Sequence, residues 1–203
     1  MKKIVPLAAV LALLISIAAC SKPFTREGTE ENLRRLVTAC QQYSADHPPE
    51  NFYPQIDLTL GRLTMAADSA YLDLIENGDD TYIYLGYAVC TGQNADLYLD
   101  MYRDFAEGRF VPDKDYVRPG TGQTLMRLKT SVEIYCSANM IDPNANAKAP
   151  ATMPLILERR DRYEDKRAPV AFFDGHIEWL APGQNEVVDR IHELLPQLDA
   201  FGG

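Results

Sequence analysis

The stretch from Val170 to Leu180, VAFFDGHIEWL, places an Asp-Gly pair between two apolar runs. Such a pair is typical of a two-residue β-hairpin loop, since a type I′ turn needs positive φ angles at both central positions. A loop at Asp174-Gly175 predicts the cross-strand pairs Phe173 with His176, Phe172 with Ile177, and Val170 with Trp179. Alternation then predicts a core face of Val170, Phe172, Ile177 and Trp179, and an opposite face of Ala171, Phe173, His176 and Glu178. On this interpretation, Asp174, Gly175 and His176 form a structural turn.

The remaining periodicities predict an α+β domain. Apolar residues recur at helical spacing from Thr29 until Pro48-Pro49 stops the helix. The other predicted helices are 64–76, 94–107 and a C-terminal helix with Val187, Val188, Ile191, Leu194, Leu195 and Leu198 on one face, which Pro196 ends or bends. The predicted strands are 81–89, 126–136, 154–158, 169–173 and 177–180, with irregular segments at 51–63, 108–122 and 142–152. The order predicts an N-terminal helix packed on an antiparallel sheet, followed by a C-terminal helix.

The first twenty residues are typical of an export signal. Lys2-Lys3 precede an apolar run, Pro6 to Ala19, which is shorter than a transmembrane helix needs. The run ends in Ile17-Ala-Ala-Cys20, which resembles the lipobox of bacterial lipoproteins. That resemblance makes Cys20 the expected lipidation site and mature N-terminus. An ordinary signal peptide, with a cysteine there by chance, is the alternative.

The expected organisation is a signal peptide at 1–19, a lipidated tether at 20–28 and one domain at 29–203. Ser21 after the cysteine resembles the outer-membrane sorting pattern, so we expect the domain in the periplasm, on the outer rather than the inner membrane. The membrane would be a partner through the acyl chains on Cys20, since stable anchoring takes more than one chain. The net charge of −9, with no basic run, predicts no nucleic-acid partner.

Three cysteines follow Cys20, so at most one disulfide can form among them. Cys40 falls on the apolar face of the first helix and is expected to be a small core residue. Cys90 and Cys136 both follow strand-like segments, and Cys90–Cys136 is the predicted pair if a disulfide exists. No Cys-x-x-Cys motif is present, so the sequence favours neither a zinc ribbon nor a thioredoxin-like redox site.

Asp174 and His176 are the candidates for chemistry, as a catalytic or metal-binding pair. The chain has no Gly-x-Ser-x-Gly or His-Glu-x-x-His motif to supply their partners, so the turn interpretation is favoured. Calcium is a further alternative, because Asn77–Asp80 and Asp142–Asn146 offer oxygen ligands. Neither stretch has the spacing of an EF-hand loop, and Asp and Asn are also common turn residues. The sequence therefore predicts no metal and no cofactor.

Three passages together resemble the pseudopilins, the pilin-like subunits of type II secretion systems. They are Asn32–Asp46 with Phe52-Tyr-Pro54, then Tyr82–Ala88, and the C-terminal passages Val132–Tyr135, Ile141–Ala149, Met153–Ile156 and Phe173–Glu178 with their Asp-Gly-His signature. The form resembles that of planctomycete and verrucomicrobial proteins. Two features depart from the family. Pilins keep their apolar N-terminal helix, which a lipobox would remove here, and Glu164 stands where the signature has a histidine.

The resemblance implies a pseudopilin-like head domain, here on a lipoprotein. The expected function is a structural or interaction subunit of the cell envelope, accessory to a secretion or pilus-like system, and not an enzyme. Its protein partners would be components of such an assembly. The alternative is a lipid-anchored periplasmic hydrolase or ligand-binding protein that uses the Asp174/His176 region.

Overall fold

The computed structural model describes residues 25–57, 64–66, 82–132 and 151–200. The α-helices are α1 (Arg26–Asp46), α2 (Gly92–Ala106) and α3 (Glu186–Ala200). The strands are β1 (Gln55–Asp57), β2 (Thr64–Ala66), β3 (Tyr82–Tyr84), β4 (Tyr116–Val117), β5 (Thr124–Leu125), β6 (Pro154–Glu158), β7 (Ala168–Phe172) and β8 (Ile177–Leu180). The α+β class is confirmed, with the N-terminal helix on the sheet and a helix at the C-terminal end.

The main sheet is antiparallel and has the strand order β3-β6-β7-β8. All five residues of β6, and all five of β7, are buried, so both faces of these central strands are covered. Their sequences are accordingly near-continuous apolar runs. The edge strand β8 differs, because Glu178 is exposed and only Leu180 is fully buried. The predicted strands 154–158 and 177–180 are confirmed, and the strand predicted at 169–173 begins and ends one residue earlier.

Helix α1 packs across β6, β7 and β8. Leu33, Leu36, Val37 and Cys40 form its buried face, as the helical spacing predicts. The helix begins at Arg26 and not at Thr29, because the side chain of Thr25 accepts a hydrogen bond from the Gly28 N–H and caps the first turn. Its last residue is Asp46, shortly before Pro48-Pro49.

Two predictions for the middle of the chain are wrong. Residues 55–57 were expected to be irregular and residue 64 to begin a helix, but the two segments pair as the antiparallel strands β1 and β2. Long-range pairing overrides a weak local preference here. The segment predicted as loop up to 122 also contains β4, which pairs with β5. Residues 67–76 of the predicted helix lie outside the described residues.

The strand predicted at 126–136 is also wrong in its described part. Residues 126–132 contain isolated bridges at Arg127 and Lys129 and no strand. The segment lies between two others, since the Leu128 N–H donates to the Gly86 carbonyl at 3.0 Å and the Leu128 carbonyl accepts from the Tyr53 N–H at 2.9 Å. The strand predicted at 81–89 is likewise shortened to β3, because Gly86 has a φ of +64° and breaks the extended backbone.

The C-terminal helix α3 has the predicted apolar face. Its buried residues include Val187, Val188, Ile191, Leu194, Leu195 and Leu198. Pro196 lies inside the helix and does not end it, because the helix continues to Ala200. Helix α3 packs against α2, whose Leu97 and Met101 are buried and whose Phe105 is partly buried. Within the described ranges, no helix combines the length and apolarity that crossing a bilayer requires.

Candidate functional site

The Asp174-Gly175 pair lies in a three-residue turn between β7 and β8. The Phe172 N–H donates to the His176 carbonyl at 2.9 Å, and the Gly175 N–H donates to the Phe172 carbonyl at the same distance. Gly175 has a φ of +93°, which favours glycine. A type I turn followed by such a glycine is a common three-residue hairpin loop. The motif is a strand-connecting turn, but its loop is one residue longer than the sequence analysis predicts.

The longer loop shifts the cross-strand register by one residue. The observed pairs are Ala168 with Leu180, Pro169 with Trp179, Val170 with Glu178, and Ala171 with Ile177. The predicted pairs of Phe173 with His176, Phe172 with Ile177, and Val170 with Trp179 are therefore wrong. The physical reason is that a type I′ turn needs two central residues with positive φ angles, and of Asp174 and Gly175 only Gly175 has one. A three-residue loop needs only one such residue, at its third position.

The predicted core face is only partly correct. Val170 and Phe172 are buried, but Ile177 and Trp179 are half-buried because β8 is an edge strand. Ala171 and Phe173, which were predicted on the face opposite the core face, are buried as well. Alternation fails as a guide to burial in β7 because both of its faces are covered.

The turn holds the His176 imidazole between two carboxylates. Its Nδ1 atom lies 2.6 Å from Oδ1 of Asp174, and its Nε2 atom lies 3.7 Å from Oε1 of Glu178. The ring also stacks on Phe172, with a centroid distance of 4.4 Å and an interplanar angle of 1°. Both His176 and Asp174 keep about a third of their side-chain surface exposed, at 35% and 36%. The pair is open to solvent, but these contacts supply no nucleophile for hydrolysis.

A cleft lies elsewhere, between the N-terminal turns of α2 and α3. It has a volume of about 490 Å³ and is lined by Gly92, Gln93, Asp96, Gly183, Glu186, Asp189, Arg190 and Glu193. The Arg190 guanidinium bridges its walls, at 2.7 Å from Asp96 and 2.8 Å from Glu193. Hydrogen bonds from Arg190 to Glu193 and Asp96 raise the pKa of Arg190. Sequence reasoning missed this cleft, because its residues come from two helices that only the tertiary fold brings together.

A second cleft of about 380 Å³ shares Gly183, Asp189 and Glu193 with the first. Arg160 lies on its wall and places its guanidinium 2.5 Å from the Asp189 carboxylate, with only 11% of the Arg160 side chain exposed. The Asp189 carboxylate also accepts from the Gly183 N–H at 2.9 Å. These contacts tie the segment after β6 to the start of α3.

His192 on the same wall is held between two carbonyl oxygens. Its Nδ1 atom lies 2.8 Å from the Val188 carbonyl and its Nε2 atom 3.0 Å from the Glu158 carbonyl. Burial lowers the pKa of His192, and the two carbonyl contacts only partly offset that effect. In the part of the chain that the structure describes, no group of three or more His, Cys, Asp or Glu side chains is arranged to hold a metal ion.

The cysteines have separate environments. Cys40 is a buried thiol, and burial raises its pKa, which fits the predicted core role. Cys90 is disulfide-bonded. Cys136 lies outside the described residues, so the Cys90–Cys136 pairing stays a prediction. Cys20 and the two candidate calcium stretches, Asn77–Asp80 and Asp142–Asn146, also lie outside them.

We compared the chain with protein-family models, with curated proteins and with solved structures, and no match was found in any of the three comparisons.

Proposed function

We propose that this chain is a lipid-anchored protein of the bacterial cell envelope. The observation that carries the proposal is the sequence Ile17-Ala-Ala-Cys20 at the end of a charged and apolar leader. The disulfide at Cys90 supports it independently, since disulfides persist in oxidising compartments such as the periplasm and are rare in the cytosol. The membrane is then one partner, through acyl chains on Cys20.

We further propose that the domain is a structural or interaction subunit of a secretion or pilus-like assembly, with a pseudopilin-like head. The α+β order of an N-terminal helix on an antiparallel sheet is compatible with such a head. Helix α1 presents an apolar face to the sheet and a polar face outward, so its residues are unsuited to packing in the apolar core of a pilus. An accessory position, bound to the assembly and held by the lipid, fits these features better than a place within a filament.

The anchor is tested by Cys20→Ser. We expect the variant to leave the membrane fraction or to accumulate as the unprocessed precursor, because neither acylation nor lipoprotein-type cleavage can occur without the thiol. Fractionation and intact-mass measurement of both proteins check this. A Cys20→Ser protein that is processed and still membrane-bound would refute the lipoprotein assignment.

The partner is tested by crosslinking in cells and pulldown of the tagged wild-type protein. Recovery of secretion or pilus-like subunits is expected for the wild type and much less for Cys20→Ser, which provides the matched control. Recovery of no envelope assembly by the correctly anchored protein would contradict the interaction role.

The second candidate function is a hydrolase or ligand-binding protein that uses the turn. The 2.6 Å contact between His176 and Asp174 favours it, because an oriented imidazole is a common general base. His176→Ala tests it: a folded variant that loses an activity of the wild-type protein would favour this candidate over the interaction role.

A further inference from the structure

The lipid anchor of the proposed function would restrict how the domain lies on the membrane, and the inference below rests on that anchor. Only four residues separate Cys20 from Thr25, which caps α1. A fully extended chain spans at most about 3.6 Å per residue, so Thr25 lies within about 18 Å of the lipidated cysteine. The first turn of α1 must therefore stay near the lipid headgroups.

That first turn is fixed to the edge of the sheet. The Arg26 guanidinium lies 2.7 Å from the Asp165 carboxylate and 4.6 Å from the centre of the Trp179 ring. One turn later, the Glu30 carboxylate accepts a hydrogen bond of 2.8 Å from the Trp179 indole N–H. Because these contacts join α1 to β8 and to the segment after β6, the tether holds this end of the whole domain at the membrane.

The residues at this end suit a membrane surface. Arg26, Arg162, Lys166 and Arg167 are exposed there, in a protein whose net charge is −9. Acidic residues accompany them at Glu27, Asp161, Glu164 and Asp165, and Asp165 is paired with Arg26. Trp179 is half-buried and packs edge-on against Tyr163, at 5.2 Å between ring centres. Tryptophan is enriched where proteins meet lipid headgroups, and basic side chains are attracted to anionic lipids.

The other end of α1 lies far from the tether. The helix has 21 residues and is therefore about 32 Å long. A side chain at Gly175 would contact Val37, so the hairpin turn lies beside the second half of the helix. The Asp174–Gly175–His176 turn is thus at the opposite end of the sheet from Arg26.

We propose that the surface formed by Arg26, Trp179 and residues 161–167 lies against the phospholipid headgroups, and that the Asp174–Gly175–His176 turn faces away from the membrane. The membrane-facing surface is then shielded from protein partners. The end that carries the turn and His47 is the part of the domain displayed to them.

Trp179 makes this orientation measurable, because it is the only tryptophan in the chain. The processed wild-type protein, purified from the producing cells, is reconstituted into vesicles of phosphatidylethanolamine and phosphatidylglycerol that carry a headgroup-labelled quencher lipid. We expect a clear loss of Trp179 emission relative to vesicles without quencher. The matched variant Trp179→Phe/His47→Trp moves the probe to the exposed end of α1, about 31 Å along the helix from Arg26, and its emission should stay unchanged.

Hydrogen exchange tests the same orientation without any substitution in the domain, so it can be used even if the Trp179→Phe/His47→Trp variant does not fold. Hydrogen exchange of the vesicle-bound wild-type protein is compared with that of soluble Cys20→Ser. Slower exchange confined to residues 161–167 and the start of α1 is expected, with the 173–176 turn unaffected.

The outcomes separate the anchor from the orientation. A wild-type protein that does not float with the vesicles refutes the lipid anchor. A protein that floats but shows unquenched Trp179, equal quenching at position 47, or slowed exchange at 173–176 refutes the proposed orientation and leaves the anchor standing.

Discussion

The Trp179 indole N–H donates a hydrogen bond of 2.8 Å to the Glu30 carboxylate, joining two residues 149 positions apart. Glu30 lies in the second turn of α1 and Trp179 lies on the edge strand β8. Besides this hydrogen bond, the Trp179 ring contacts the Arg26 guanidinium on one face and packs at nearly a right angle to the Tyr163 ring. Together these contacts cover part of a large apolar side chain on an edge strand.

A double-mutant cycle with Glu30→Ala and Trp179→Phe measures this contact. Each variant removes one partner of the hydrogen bond, so we expect a coupling free energy of about 1 kcal/mol in the free energy of unfolding. Urea unfolding of the four proteins provides it. The exposed neighbour Glu31 serves as a control, because Glu31→Ala should change stability by no more than about 0.5 kcal/mol. Additive effects of the two substitutions would show that the contact contributes nothing.

Among the glycines that the structure describes, Gly86 is the one most restricted by its surroundings. A Cβ atom there would lie 2.5 Å from Cγ1 of Ile56, and the φ of +64° already disfavours other residues. We expect Gly86→Ala to lower the free energy of unfolding by about 2–4 kcal/mol, from overpacking and backbone strain together. Gly108 has a similar φ of +72° but nothing within 4 Å of its Cβ position. Gly108→Ala should therefore lower the free energy of unfolding by the backbone strain alone, about 1–2 kcal/mol. Equal losses in the two variants would contradict the close packing at Ile56.

Substitutions at the adjacent turn residues Gly175 and His176 should differ clearly in how much they lower the free energy of unfolding. Gly175→Val places a β-branched residue at a φ of +93° and should lower the free energy of unfolding by about 2–3 kcal/mol. His176→Ala removes a partly exposed hydrogen bond and a ring contact, and about 1 kcal/mol or less is expected. Thermal melts of both variants are the measurement. A Gly175→Val protein as stable as wild type would show that the turn does not constrain the register.

His192 predicts a pH dependence of stability. Burial lowers the pKa of His192 in the folded protein, whereas the unfolded chain has the ordinary value of about 6.5. Between these two values the unfolded state binds more protons, so stability falls as the pH decreases below about 6.5 and is fully present above it. His192→Gln cannot titrate, and its free energy of unfolding should fall less between pH 7.5 and pH 5. Parallel pH profiles for the two proteins would mean that His192 is not buried as a neutral ring.

Local sequence patterns were sufficient for the elements whose neighbours are close in the chain. Strands β6 and β7 are recognisable as short, nearly continuous apolar runs, and the apolar face of α3 is recognisable from its helical spacing. The Asp-Gly pair also identified the turn, because the conformation of a hairpin loop depends on the residues of the loop itself. The candidate site at Asp174 and His176 could therefore be located from the sequence, though its contact with Phe172 could not.

What the sequence left undetermined depends on contacts between distant segments. The loop length at Gly175 decides which face each residue of β8 occupies, and a pattern compatible with two loop lengths does not choose between them. The pairing of β1 with β2, the position of Leu128 between Tyr53 and Gly86, and the cleft between α2 and α3 have no local signature. The sequence determined which side chains are apolar enough to be buried and, in its first twenty residues, an expected export signal. Only the tertiary structure decided which partners they meet, because shape complementarity and long-range hydrogen bonds are properties of the assembled chain.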